Sequence, residues 1–174
     1  MGLLEKIGGL RRAVPDALDV AAAPGVAYAP VSGTVVPLDQ VSDPAFAQGM
    51  LGNGLGIAPE GNVAYAPVSG VVTADVKTRH ALLVRTAEGA EVLLHVGLDS
   101  VALRGEGFRC LAEKGDEVCA GQALIMFDRA LMVERGLDPT VMVTVSNSDA
   151  FAPAEVAAGT ERVVAGEAVM RWVV

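Results

Sequence analysis

Two histidines, His80 and His95, are the only imidazoles in this 174-residue chain, and they stand 15 positions apart. A neutral imidazole carries one donor and one acceptor nitrogen, so a neighbouring pair can hold a phosphoryl group between them. One ring attacks phosphorus, and the other donates a hydrogen bond to the oxygens as charge develops. Thr78, two residues before His80, supplies a hydroxyl able to orient the helper ring and fix its tautomer. A phosphoryl group on nitrogen needs a water-poor rim to survive, for which Leu93, Leu94, Val96 and Leu98 are available. Two other readings stay open on composition alone. Either ring can be a satisfied core histidine, or the pair can bind zinc. A catalytic zinc site typically takes three protein ligands and a structural one four, and no third histidine, HxH or HExxH accompanies these two. A metal would need Asp99 or Asp43 in addition, or a site shared with a partner through His80 and His95.

The elements that must position the pair read as strands. His95 interrupts the apolar run Glu91-Val92-Leu93-Leu94-His95-Val96, and His80 opens the preceding run Ala81–Val84. With Glu88-Gly89-Ala90 as the turn, 80–86 and 91–97 predict an antiparallel hairpin. Pairing symmetrically about Gly89 sets 83 opposite 95 and 80 opposite 98. Further strands are predicted at Ala123–Phe127 and Val141–Val145, with one helical turn over Ala130–Arg135.

The chain also repeats itself. Tyr28-Ala29-Pro30-Val31-Ser32-Gly33 returns unchanged as Tyr65-Ala66-Pro67-Val68-Ser69-Gly70, each followed by a valine pair, Val35-Val36 and Val71-Val72. Gly115–Ala123 and Thr160–Ala168 share the frame Val-x-x-Gly-x-Ala. Two kinds of repeated turn-and-strand unit predict an all-β fold, a sandwich or barrel with internal pseudo-symmetry, over residues 26–174. Residues 1–25 read as a tail or a short amphipathic helix. Leu3, Leu4, Ile7, Leu10 and Val14 recur at helical spacing with Lys6, Arg11 and Arg12 between them, a pattern suited to weak membrane-surface contact through residues 1–20.

Bulk composition excludes several classes. Aromatics are 4% against 52% apolar residues, so the core rests on Val, Ala, Leu and Ile, and no apolar run reaches the length of a membrane span. A net charge of −8 argues against nucleic acid and favours a basic protein partner. Cys110 and Cys119 belong to no CxxC or Cys/His cluster and read as idle thiols rather than a disulfide. Glu5 and Lys6 interrupt the N-terminal apolar stretch, against a secretory signal, so the expected location is the cytoplasm, peripheral to the inner face of the membrane.

At its histidines the chain resembles the IIA component of the glucose family of bacterial phosphoenolpyruvate-dependent sugar phosphotransferase systems. The stretch Leu94–Phe108 is similar to the family signature HxGxDTVxLxGxGF, with Ser100 in place of Thr. Thr78-Arg79-His80-Ala81 matches the partner-histidine motif. Ala29–Gly33, Asp43–Ala47, Gly52-Asn53-Gly54 and Val145-Ser146-Asn147 match further segments, and Met1–Ile7 is similar to the amphipathic start of free-standing glucose IIA proteins. Val76 and Leu93 depart from it, standing where the best-known glucose member has aromatics. The resemblance implies a distorted β-sandwich or barrel with a shallow apolar depression. It makes His95 the phosphoacceptor, His80 the stabiliser of the transferred group, and Thr78 part of their hydrogen-bond network. Asp43 and Asp99 are expected to meet a basic residue of the histidine phosphocarrier protein, with Phe46, Val96 and Val101 as its apolar rim. A IIB domain is the implied acceptor and no cofactor is required. A regulatory module of the same fold is the alternative.

Overall fold

The computed structural model describes residues 13–174. Among the described residues fourteen short strands make three sheets. The main sheet runs in the order β13 (Arg162–Val163), β2 (Gly33–Pro37), β3 (Asn53–Pro59), β11 (Val141–Val145), β7 (Glu91–Val96), β6 (Ala81–Arg85), β5 (Gly70–Asp75), β9 (Glu117–Val118). A second joins β1 (Val26–Tyr28), β14 (Ala168–Trp172) and β12 (Pro153–Val156), and a third joins β4 (Val63–Tyr65), β10 (Ala123–Phe127) and β8 (Phe108–Cys110). The main sheet ends at two-residue edge strands, β13 and β9, so the architecture is a distorted sandwich and not a closed barrel.

The repeated hexapeptide explains the symmetry of that order, bond by bond. Tyr28 N donates to Pro67 O at 2.8 Å while Tyr65 N donates to Pro30 O at 2.9 Å, so the copies cross-link each other. Ala29 N bonds Glu167 O and Ala66 N bonds Gln122 O, which ties each hexapeptide to one copy of the second repeat. Ser32 Oγ accepts from Ala165 N, and Ser69 Oγ accepts from Ala120 N. The closing glycines allow close strand approach. A Cβ on Gly33 would lie 1.9 Å from Ala58 O, and one on Gly70 would lie 2.1 Å from Arg85 O. No side chain fits there.

Between these matched ends lie the central strands. On β7 the burial alternates, with Val92, Leu94 and Val96 turned into the main core and Glu91, Leu93 and His95 on the opposite face. The register carries the alternation across: Leu94 pairs with Leu82 and Val143 on the inner side, and His95 pairs with Ala81 and Met142 on the outer. The outer face has a smaller cluster of its own, in which Val41, Phe46, Leu98 and Met142 pack with Val36, Leu38 and Leu93. An excursion of the chain through the helical turn Pro44–Ala47 covers it. The strands at 91–96, 123–127 and 141–145 stand where the sequence places them, and the predicted helical turn spans Arg129–Glu134.

One expectation changes. The hairpin pairs Ala81 with His95 and Leu83 with Leu93, so its centre is Glu88 rather than Gly89, because the turn closes through Thr86 N to Ala90 O and Gly89 N to Thr86 O. His80 therefore lies opposite Val96, not Leu98, and its carbonyl accepts from Val96 N at 2.8 Å. Leu3, Leu4, Ile7 and Leu10 lie outside the described residues, and residues 13–23 carry no helix. They form an extended strap. Leu18 N bonds Gly121 O, Val20 packs on Val26, Tyr28 and Ala120, and the Tyr28 hydroxyl donates to Ala21 O while accepting from Ala23 N. Prolines at 15 and 24 disfavour a helix over this stretch. Among the described residues no helix is long and apolar enough to cross a membrane.

The close approach at Gly70 is testable. Gly70→Ala should cost about 3 kcal/mol, a melting temperature lower by roughly 10 °C, because backbone must move apart. Gly61→Ala, where a Cβ meets nothing within 4 Å, should be neutral or slightly stabilising. Equal thermal melts for the two variants would refute the close-approach account.

Candidate functional site

The His95 ring stands on the outer face of β7, flanked by two rings. Phe46 meets it edge-on with centroids 5.1 Å apart, and His80 meets it edge-on at 4.7 Å. His80 in turn lies between His95 and Phe108, whose ring centroid is 6.2 Å away. The turn before β6 delivers His80: Arg79 adopts a left-handed conformation (φ 61°), and its N–H closes on Val76 O. Thr78 Oγ1 lies 2.8 Å from His80 Nδ1, as the motif implied. With that nitrogen engaged, Nε2 of His80 is the one left to act on a ligand.

His95 Nδ1 is buried and has no hydrogen-bond partner, so Nε2 is the only ring nitrogen a docking molecule can reach. Burial pushes the His95 pKa down to about 4, and the neighbouring His80 adds to the shift. The Gly97 backbone and the charge of Asp43 oppose it, without Gly97 completing a well-formed hydrogen bond to the ring. His80 is shifted down too, chiefly by burial, with the Thr78 backbone opposing. Both rings are thus kept neutral at ordinary pH. One nitrogen with a free lone pair faces outward, beside a second ring able to donate.

Past His95 the chain leaves the sheet through Gly97 (φ 78°), where a Cβ would meet Met132 Sδ and Ser100 Cβ, each at 3.0 Å. Two N–H groups fix this exit: Gly97 N donates to Thr140 O and Leu98 N to Asp138 O. Ser100 is fully buried, and its hydroxyl donates to Val96 O at 2.6 Å and more weakly to Gly97 O at 3.4 Å. The hydroxyl that replaces the usual threonine therefore braces the backbone directly after His95.

The expected partner-facing residues divide. Asp43 lies beside the site, its Oδ1 accepting from Ala45 N at 2.8 Å to cap the helical turn that carries Phe46. Asp99 is exposed in a left-handed conformation, and Val101 is 56% exposed. Phe46 and Val96 are corrections. Phe46 is 1% exposed, so it walls the His95 ring and offers no surface, and Val96 is 0% exposed because its position on β7 has inward parity. Leu94 is buried by the same parity and Leu98 within the outer cluster, so of the four residues Leu93, Leu94, Val96 and Leu98 only Leu93 is partly open. Unforeseen residues complete the site. Met142 pairs with His95 across the ladder, and Phe108 backs His80. Only the parity of the strands could have signalled Met142. Among the described residues no group of three or more His, Cys, Asp or Glu converges in a way that could hold a metal ion. A cleft of about 630 Å³ between Val14–Ala17 and Arg109–Leu111 contains neither histidine. Cys110 and Cys119 are both free thiols.

Comparison with known proteins gives this arrangement its place. Residues 26–151 match the model of the phosphoenolpyruvate-dependent sugar phosphotransferase system, EIIA 1. The glucose-specific EIIA component of Halalkalibacterium halodurans is 40% identical over 134 residues, covering 77% of this chain and 78% of that protein. The N-acetylglucosamine-specific EIICBA component of Escherichia coli is 35% identical over 140 residues, 80% of this chain but 21% of the longer protein. The glucose permease IIA of Mycoplasma capricolum superposes with a TM-score of 0.73 at 33% identity, over 83% of this chain and 93% of that one. With its neutral histidine pair on a duplicated β-sandwich, and matched over most of its length, the chain thus belongs to the EIIA family of phosphoenolpyruvate-dependent sugar phosphotransferase systems.

Proposed function

We propose that this phosphoryl carrier bears its phosphoryl group on Nε2 of His95, taking it from the histidine phosphocarrier protein and passing it to a IIB domain of a sugar permease. The observation that carries the reading is the outward His95 Nε2 beside a His80 ring whose Nδ1 is held by Thr78. In the forward step the Nε2 lone pair forms the new P–N bond as the donor's P–N bond breaks. The donor imidazole leaves with its electron pair, and His95 keeps its proton on Nδ1. The reading takes Thr78 Oγ1, 2.8 Å from His80 Nδ1, as the donor in that pair, which sets the proton of His80 on Nε2, from where it donates to the phosphoryl oxygens. Little covalent help is needed, so positioning and exclusion of water supply the catalysis. Transfer between similar nitrogens is near energy-neutral and runs both ways.

Asp43, Asp99 and Val101 supply the acidic and apolar margin for a basic-edged donor, in keeping with the net charge of −8. Glucose is the favoured sugar, since the free-standing relatives matched over most of their length carry that specificity in their names. Longer relatives that join EIIA to B and C components support a IIB acceptor. The reading carries a cytoplasmic location with it. It needs no metal, and a zinc ion shared across an interface through His80 and His95 would compete with phosphorylation for the same nitrogens.

Incubation with phosphoenolpyruvate, enzyme I and phosphocarrier separates the two roles. His95→Gln should incorporate no acid-labile phosphate. His80→Gln should accept it but deliver it to IIB about 10²-fold more slowly, the scale of one lost charge-stabilising donor. Labelling of His95→Gln alongside an unlabelled His80→Gln would reverse the assignment.

The electrostatics make a second prediction. At pH 5.5 an ordinary imidazole is about nine-tenths protonated. His95, pushed down to about 4, should stay neutral there and titrate only as pH approaches that value. A depressed cationic pKa means the unfolded chain binds this proton first, so His95 contributes a loss of stability as pH falls from about 6.5 to 4. Ring-carbon or ring-nitrogen NMR titration checks it, and a midpoint near 6.5 would contradict the burial argument.

A further inference from the structure

Two loops flank the His95 ring, and one carboxylate joins them. On one side is the exit from β7, held by Leu98 N donating to the backbone carbonyl of Asp138 and by Gly97 N donating to Thr140 O. On the other is the stretch from Ser42 to Ala47, which presents Asp43 to the site and lays Phe46 against the ring. Asp138 reaches both. Its Oδ1 accepts from Thr140 N at 2.9 Å and from Thr140 Oγ1 at 2.6 Å, folding the 138–140 turn so that the carbonyls at 138 and 140 point at the N–H groups of Leu98 and Gly97. Its Oδ2 accepts from Ser42 Oγ at 3.3 Å, across 96 residues of sequence. Beneath, Leu98 and Phe46 belong to one apolar cluster with Val41 and Met142, so the two loops share a floor as well as a tie.

We infer that Asp138 is a positioning residue for phosphoryl transfer, bridging the loop that follows His95 to the loop that carries Asp43 and Phe46. It touches neither ring and makes no bond to the phosphoryl group. Its part is to hold the Gly97 backbone and the Phe46 wall in register on opposite sides of the acceptor, a geometry whose loosening by an ångström can slow transfer about 10²-fold. The carboxyl acts through acceptor geometry, since three of its contacts come from neutral donors. An amide oxygen at the same place should therefore do most of the work. The inference rests on His95 as acceptor and adds a residue that neither histidine motif contains.

The test uses the full chain with purified phosphocarrier and follows single-turnover acceptance together with the His95 ring titration. Asp138→Ala should slow acceptance tenfold or more. It should also raise the His95 midpoint by about one unit, because water reaches a ring whose depression comes mainly from burial. Asp138→Asn, which keeps an oxygen for the Thr140 donors, should restore acceptance to within about threefold and return the midpoint. Ser42→Ala removes only the cross-loop arm and should slow acceptance two- to threefold with an unchanged melting temperature. If Asp138→Ala fails to fold, Asp138→Asn and Ser42→Ala carry the same question. Wild-type acceptance with an unmoved midpoint in Asp138→Ala, or in the fallback case wild-type acceptance in Ser42→Ala, overturns the inference. Acceptance of label by His95→Gln would instead overturn the acceptor assignment and leave its own separate mark.

Discussion

An imidazole that carries phosphorus must be neutral, reachable by a partner and shielded from water, and these demands oppose one another. Exposure admits the partner but also admits protons and water, whereas full burial excludes all three. For His95 as the proposed carrier, the conflict is met by covering the ring from the sides and leaving one edge open. Phe46 and His80 close the flanks edge-on, Met142 lies across the ladder, and only the Nε2 edge looks out. The depressed His95 pKa is the electrostatic trace of that arrangement. Everything else in the fold can be read as keeping those walls in place.

The scaffold meets that need by duplication. The repeated hexapeptides and the repeated Val-x-x-Gly-x-Ala units interlock at both ends of the main sheet, so its order is matched from either edge: β13 with β9, β2 with β5, β3 with β6, β11 with β7. The site occupies the centre, where the symmetry has its mates side by side and where strands are hydrogen-bonded on both edges. There the backbone is least free to move, which suits a reaction that depends on placement. The halves differ in what covers the outer face. The Pro44–Ala47 excursion and the His80 turn are unrelated segments converging on one ring, and function lies in that difference rather than in the duplicated frame.

How much of this was legible in the sequence follows from the range of each interaction. His80, His95 and Thr78 were readable because their chemistry is rare in the chain and their spacing is local. Strands rich in valine and leucine were readable for the same reason. The rim was misread at Phe46 and Val96, although the phase was present: Glu91, a charged residue, shares parity with His95, so Val92, Leu94 and Val96 had to turn inward. The hairpin register slipped because Thr86 and Ala90 close the turn around Glu88, a matter of turn geometry that residue types alone leave undecided. Nothing local reveals the tie between Ser42 and Asp138, or Phe108 behind His80. Those contacts exist only once distant segments have folded together.

The acidic margin completes the electrostatic account. A carboxylate beside a phosphoryl-accepting nitrogen draws a basic partner but repels the arriving phosphate, and it raises the pKa of the ring it faces. Asp43 does the last of these to His95, yet the ring remains strongly depressed, so burial and His80 outweigh it. Asp43 is itself held by the backbone. Its Oδ1 is turned back onto Ala45 N at the start of a helical turn, where a backbone N–H absorbs part of the negative charge. The carboxylate is thereby fixed at the margin of the site, where the proposed docking of a basic-edged donor would meet it. Because burial sets the larger part of the shift, the His95 ring stays neutral and keeps its lone pair despite that neighbour.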